Sequence, residues 1–545
     1  MVVTGPDAGG TRRPLLSRSP DWMPVLPALV TLAVTLWGIG SASFWRDEAA
    51  TVTAVRRSLP EMIRMLGHVD AVHGTYYLLM WPLAQVFGTT EFVMRLPSAI
   101  AMAAAAFGIA VTGRRLGSVQ TGLLAGLVFA ALPMTSRFGQ EARSYAVVTA
   151  VAVLASYLLI RAIGEPGRRW ATGYGLALVA LGFLNMFGLL IVPVHATWLA
   201  AARKHGSRGG ELDRDPAAVT AAGSSSSGTA RGWATGTARG WATGTARGWA
   251  IAATSALVAI VPVALLAWHE RHQLAWLRRP TVPDVLALLI TLTGSGASLV
   301  LISALGLAGV ACNAGGTLRG AAHRKRSRNH RRSAAQGLLW LGATWLFLPP
   351  AALILVSEIK PIYVDRYVVF CLPAIALLAG AGLAVLGRFW RIAAVTMLAL
   401  LALPMQQAIR RPSGHGDNIR AAAQLLRAQA RSGDAVAYFR PGFRDLGAIY
   451  PYGFTWLRDI GLRESAAAAG NLSGTEVPRQ VLERRLRRFR RVWLVEVNRN
   501  QPDPGVISAP RFRLVRVWPI SDMTLRLYEQ DGKQARRRGA SQVAP

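Results

Sequence analysis

Residues 22–49 read WMPVLPALVTLAVTLWGIGSASFWRDEA. The uncharged run Trp22–Ala42 is long enough to cross a hydrocarbon core about 30 Å thick. Charge returns abruptly at Arg46-Asp47-Glu48. Ionisable groups at a membrane boundary are costly unless solvated, paired or used. The stretch describes a chain solvated by lipid, with an acid pair at the edge of the bilayer.

The rest of the chain agrees. Of 545 residues, 52% are hydrophobic and 16% charged, against about 25% charged in soluble domains. Mean hydropathy is +0.31. Further apolar runs lie near 92–113, 119–135, 144–163, 250–268, 285–311, 336–357, 366–387 and 391–409. The stretch 171–202 is too long for one upright helix and divides at Asn185. The expected fold class is an α-helical polytopic membrane protein with about eleven transmembrane helices. Cys312 and Cys371 both lie in or at the end of apolar runs, so no disulfide framework or cysteine zinc site can be built.

Lys and Arg number 61 against 28 Asp and Glu, a formal charge of +33. Such an excess ordinarily points to nucleic acid. Its placement gives another reading, because basic residues mark cytoplasmic loops near helix ends. Arg12, Arg13, Arg18, Arg114, Arg115, Arg161, Arg168, Arg169, Arg203, Lys204, the run 324–332, Arg388 and Arg391 all fall on one side if the N-terminus is inside. No nucleic-acid partner is expected. The C-terminal segment is then outside, and the first span is an uncleaved signal anchor. His73–Phe87 (HGTYYLLMWPLAQVF) cannot be a further span, because counting it would invert every later loop. It is short, contains Pro82, and reads as a juxtamembrane or re-entrant helix.

The domain plan is a cytoplasmic tail (1–21), a transmembrane domain (22–409) with a large first outer loop (43–91), and a C-terminal domain (410–532) with a basic tail (533–545) expected to be disordered. A cytoplasmic linker (203–249) carries the octapeptide Thr-Ala-Arg-Gly-Trp-Ala-Thr-Gly repeated from Thr229, Thr237 and Thr245. It reads as a tandem duplication in a tolerant loop. The C-terminal domain is expected to be a small extracytoplasmic α/β unit: a helix at 418–431, a strand at 435–439, a basic helix at 481–490, a strand at 491–497, and a hairpin at 512–518 and 524–528.

Acids are scarce, so those near the outer face are informative. Asp47 could accept a proton as a general base with Glu48 orienting it, or the two could hold a divalent cation. An acid pair in a helix's first turn is equally favoured by the helix dipole. His68, Asp70, His73 and Tyr76 in the same loop could bind sugar, and His68 with His73 a metal. The plainer reading is an ordinary polar loop with one helix cap. Gln140, Glu141, Arg143 and Tyr145 join the next pair of spans on the same side. Arg366 and Tyr367, with Lys360 upstream, start a late span. Arginine suits a phosphate bidentately, although interfacial snorkelling is the plainer use of Arg366.

These motifs, in this order, resemble the GT-C-fold membrane glycosyltransferases of the family-39 protein mannosyltransferase and aminoarabinose transferase group. The residues that carry the resemblance are Trp45-Arg-Asp-Glu48, His73-Gly-Thr-Tyr-Tyr77, Arg95-Leu-Pro-Ser98, Gln140-Glu-Ala-Arg-Ser-Tyr145 and Arg366-Tyr367. It is strongest over 20–200 and returns near 358–385. Relatives often have His-Pro-Pro where this chain has His73-Gly74-Thr75. The resemblance implies transfer of a sugar, a hexose or pentose, from a polyprenyl-phosphate carrier to a protein, lipid or glycan acceptor. Transfer would occur at the outer face of the cytoplasmic membrane. It further implies Asp47 as base, Glu48 as support, and Arg366, then Arg143, as partners of the carrier phosphate. No cofactor is required by the resemblance, and a divalent cation stays open. A transporter or lipid flippase is the alternative; it would place ionisable groups near the bilayer midplane, where this sequence has few.

Overall fold

The computed structural model describes residues 22–165, 168–211, 246–271, 277–315, 325–439, 443–497 and 512–530. The N-terminal tail, residues 212–245 of the linker with most of its repeats, and the basic tail lie outside the described residues.

Every apolar run is helical, but the runs are used unequally. The helices are α1 Val25–Leu36, α2 Arg46–Val55, α3 Leu59–Leu66, α4 Gly74–Phe87, α5 Glu91–Leu116, α6 Val119–Ala131, α7 Pro133–Gly139 and α8 Tyr145–Gly164. They continue as α9 Arg168–Leu184, α10 Ile191–Glu211, α11 Ala246–His269, α12 Val282–Thr293, α13 Gly296–Gly315, α14 Lys325–Ile359, α15 Leu372–Val385 and α16 Arg388–Ile409. Among the described residues six helices are long and apolar enough to cross a membrane, or eight if each of two bent pairs is one span. Two shorter apolar helices, Val25–Leu36 and Met186–Ala201, accompany them.

The breaks have local causes. α6 and α7 bend by 66°. Leu132 sits between them in an extended conformation ahead of Pro133, as residues before proline do. α12 and α13 bend by 80° at Gly294, whose φ of +91° suits only glycine. Asn185 separates α9 from α10 as expected. It is extended, and its side chain accepts the Phe187 N–H at 3.0 Å. α1 is only 12 residues long and ends in a turn at Gly38. Gly74–Phe87 forms α4, capped by His73 and at 14 residues shorter than the spans counted above.

Helices of the bundle approach closely through glycine. A Cβ on Gly382 of α15 would lie 1.8 Å from the Leu305 carbonyl of α13, and one on Gly122 of α6 would lie 2.1 Å from the Ala110 carbonyl of α5. Small residues are how membrane helices gain packing energy. Gly382→Ala should therefore push α13 from α15 and destabilise the protein by about 1–3 kcal/mol. A lowered thermal midpoint in detergent is the expected reading, and an unchanged one would contradict this packing.

The C-terminal part combines helices and strands. Helices α17 Ile419–Gln429, α18 Arg444–Ile449 and α19 Arg479–Leu486 accompany strands β1 Ala435–Tyr438, β2 Arg458–Asp459, β3 Leu462–Glu464, β4 Thr475–Glu476, β5 Arg491–Val497, β6 Phe512–Ile520 and β7 Met523–Gln530. The main sheet has the order β2-β1-β5-β7-β6. β1 runs parallel to β2 and β5, whereas β7 is antiparallel to β5 and β6. β3 and β4 form a small separate ribbon that the sequence did not suggest. Alternation in β5 sends Trp493 and Val495 into one core with Ile419, Leu426, Met62 and Tyr77, and Val492 and Leu494 into another beneath Leu482 and Leu486 of α19. The first of these cores joins the C-terminal domain to the first loop.

Candidate active site

α2 begins where the sequence turns from apolar to charged, and its first turn presents Asp47 and Glu48. The two acids have different fates. Glu48 is fully buried. Arg95 of α5 donates to it through Nε at 2.8 Å and Nη2 at 2.6 Å, and the Ala142 N–H donates at 2.8 Å. Arg95 is also fully buried and donates to the carbonyls of Ile39, Ala42 and Ser43. Burial alone would raise the Glu48 carboxyl, but the Arg95 charge and hydrogen bonds hold it well below the usual range. Glu48 is thus a structural anion with both oxygens occupied. The joint cation site considered for Asp47 and Glu48 does not fit this donor set. Among the described residues no group of three or more His, Cys, Asp or Glu is disposed to hold a metal ion.

Asp47 is left facing the bundle. Its Oδ2 lies 3.2 Å from Arg366 Nη2, is buried, and accepts no hydrogen bond. Arg366 donates through Nε to the Tyr145 hydroxyl at 3.1 Å. The Trp45 ring carries two guanidinium groups, Arg366 at 5.7 Å and Arg137 at 5.3 Å from its centroid. Arg137 pairs with Glu141 at 2.5 Å. Beside them, Arg143 donates to the Tyr77 hydroxyl at 3.0 Å and to His73 Nε2 at 2.7 Å. Tyr77 in turn donates to Asp70 at 2.7 Å. Arginine is always the donor, so His73 Nε2 carries the lone pair. Burial and then Arg143 keep that imidazole neutral, well below the usual histidine value. Asp70 sits at φ +61°, a strained conformation for a residue with a Cβ.

The sequence-selected residues therefore divide. Asp47, Asp70, His73, Glu141, Arg143, Tyr145 and Arg366 meet in one cluster. Tyr367 borders it, stacked on Phe187 at 4.6 Å. Gln140 does not serve it: its side chain donates to the carbonyls of Thr35 and Trp37 and staples α7 to the end of α1. His68 is exposed, bonded to the Arg64 carbonyl and set against Gly470, so a His68–His73 metal pair is not formed. Tyr76 points into the core around Met62 and Met65. Lys360 lies over the Trp268 ring, 4.2 Å from its centroid. Sequence reasoning quoted Arg95 but gave it no role, although an arginine at the end of an apolar run is itself a signal of a buried partner. It missed His415 and Glu270 altogether. The buried His415 ring stands 3.9 Å from Glu48, and Glu270 accepts the Ala71 N–H at 3.2 Å. Nothing in their local sequence marks them.

Several buried polar atoms here accept or donate no hydrogen bond: Trp45 Nε1, Asp47 Oδ2, Glu141 Oε1, Arg143 Nε and Ser144 Oγ. Native proteins rarely leave such atoms unpaired without a functional reason. Glu141 is fully buried, and burial pushes its carboxyl up to about 7 against the pull of Arg137. A carboxyl raised on folding stabilises the fold fully below its unfolded value of 4.5 and loses that contribution as pH rises through about 7. Glu141→Gln should therefore flatten the pH dependence of thermal stability between pH 5 and 8, by on the order of 3 kcal/mol. Parallel stability curves for wild type and variant would contradict the assignment.

Among the described residues, six to eight helices long and apolar enough to cross a membrane accompany a first-loop helix whose Asp47 Oδ2 is ion-paired with Arg366 but accepts no hydrogen bond. Residues 75–209 match the family model of dolichyl-phosphate-mannose-protein mannosyltransferases. The structure is similar to ArnT from Cupriavidus metallidurans, solved in the apo state and bound to undecaprenyl phosphate. In both cases the TM-score is 0.56 and the identity 13%, over 92% of this chain and 97% of that one. The Archaeoglobus fulgidus oligosaccharyltransferase also matches, at 13% identity and a TM-score of 0.44 over 87% of this chain and 68% of that one. No curated protein sequence matches the chain. The family model and the fold bear out the resemblance carried by the motifs.

Proposed function

We propose that the protein is an integral-membrane glycosyltransferase that moves a sugar, a hexose or pentose, from a polyprenyl-phosphate carrier to a protein, lipid or glycan acceptor at the extracytoplasmic face of the cytoplasmic membrane. The observation that carries this reading is Asp47 Oδ2, buried beside Arg366 and accepting no hydrogen bond. A carboxylate with free acceptor capacity is what an incoming acceptor hydroxyl requires. The adjoining cations supply the other half of the reaction. As the sugar C1–O bond breaks, charge grows on the departing phosphate, and Arg366 and Arg143 stabilise it in a water-poor site. Carrier phosphate competes with Asp47 for Arg366, so donor binding frees the base. Tyr145 holds Arg366 from behind, and Glu48 and Arg95 fix the helix that aims Asp47. The ArnT structure with undecaprenyl phosphate shows that this fold accommodates such a carrier in that protein.

The test is to incubate membranes containing the protein with a panel of polyprenyl-phospho-sugars carrying labelled hexoses and pentoses. Label moving to a membrane or soluble acceptor supports the reading. Label that crosses vesicles still attached to its carrier would instead make the protein a transporter.

A further inference from the structure

The short irregular segment between α1 and α2 has to hold Asp47 still, and backbone polar groups in such a segment must find partners. Several of them find partners in the C-terminal polypeptide. The Ser43 N–H donates to the Pro412 carbonyl at 2.9 Å. The Phe44 N–H donates to the Tyr450 hydroxyl at 3.1 Å. The Arg46 N–H donates to Asp417 Oδ2 at 3.0 Å, and the Arg46 guanidinium reaches the same oxygen at 3.2 Å. The Arg420 guanidinium collects the carbonyls of Gly40, Ser41 and Ala42 at 3.0–3.2 Å, and its N–H donates to Ser43 Oγ at 3.0 Å. Tyr450 also donates to Glu91.

Asp417 is the key member. Its side chain is 1% exposed. It caps the first N–H of α2, one of the groups a helix leaves unpaired, with a negative charge that the helix dipole favours. The contacts stop one residue short of Asp47.

We propose that the segment 410–420 and Tyr450 form a clamp that sets the position of Asp47, with Asp417 as a positioning residue, so that the C-terminal domain completes the active site. This rests on the reading of Asp47 as the base. Misplacement of a reacting group by about 1 Å can cost about 100-fold in rate, so a clamp on the preceding residues acts on turnover more than on donor binding.

Three variants test it: Tyr450→Phe, which removes only a hydroxyl, Asp417→Ala, and Asp417→Asn, which keeps an oxygen for the Arg46 N–H and is a competent cap. Turnover and donor KM are measured on the full chain, together with amide hydrogen exchange. The expected result is a fall in kcat of about tenfold or more for Tyr450→Phe and Asp417→Ala, with donor KM within about twofold. Asp417→Asn recovers most of the loss. Exchange over residues 43–48 speeds up about tenfold on loss of the cap, while strand 491–497 keeps its wild-type rate. Unchanged kcat and exchange would overturn the clamp. So would an equal acceleration in strand 491–497, which would mean that the domain had merely loosened. If the wild type transfers no sugar from any donor, the glycosyltransferase reading fails, while the exchange data still decide whether the clamp exists.

Discussion

Asp47→Asn is expected to leave the protein at wild-type abundance in the membrane and to lower sugar transfer by about 1,000-fold or more. Asparagine has the size of aspartate and tolerates the first turn of a helix. Its carbonyl can still face Arg366, and Arg366 keeps its bond to Tyr145 at 3.1 Å. The substitution removes the capacity to take a proton. Glu48 cannot replace it, because both of its oxygens are held by Arg95. Glu141 is fully buried and paired with Arg137. The check is the rate of labelled-sugar transfer per unit of protein quantified by immunoblot. Activity above about a tenth of wild type would remove Asp47 from the base role.

Arg95→Met is expected to have the largest effect on folding. Arg95 and Glu48 are both fully buried, and removing one partner of such a pair costs about 3–5 kcal/mol because the remaining charge has no compensation. The loss is aggravated here, since Arg95 also binds the carbonyls of Ile39, Ala42 and Ser43. A protein whose net stability is about 5–15 kcal/mol has little margin for that. The expected result is a collapse of the monodisperse detergent-solubilised fraction. Adding Glu48→Leu should restore part of it, since removing both charges is far less costly than removing one. Wild-type thermal stability in Arg95→Met would contradict the pairing.

Much of this architecture is legible in the residues. Apolar length located the helices of the bundle, and the run after His73 forms the 14-residue helix α4. Alternation located β5 at 491–497. Apart from the break at Asn185, what could not be read is where a run is interrupted. The 80° bend at Gly294 depends on a positive φ that an isolated glycine does not announce. Side-chain assignments behaved similarly. Acids and arginines beside the first loop were found because charge is scarce there. Gln140 looked like a ligand-facing residue, yet its amide satisfies carbonyls at the end of α1. His415 and Asp417 were invisible as site components, since their partners at 48 and 46 are hundreds of residues away in sequence.

The most direct test of the account is the stoichiometry of product release by purified protein in proteoliposomes supplied with a polyprenyl-phospho-sugar and an acceptor. The account predicts one free polyprenyl phosphate for each sugar transferred by the wild type, and neither product with Asp47→Asn. Carrier that crosses the bilayer with its sugar intact, at the same rate in both proteins, would contradict it.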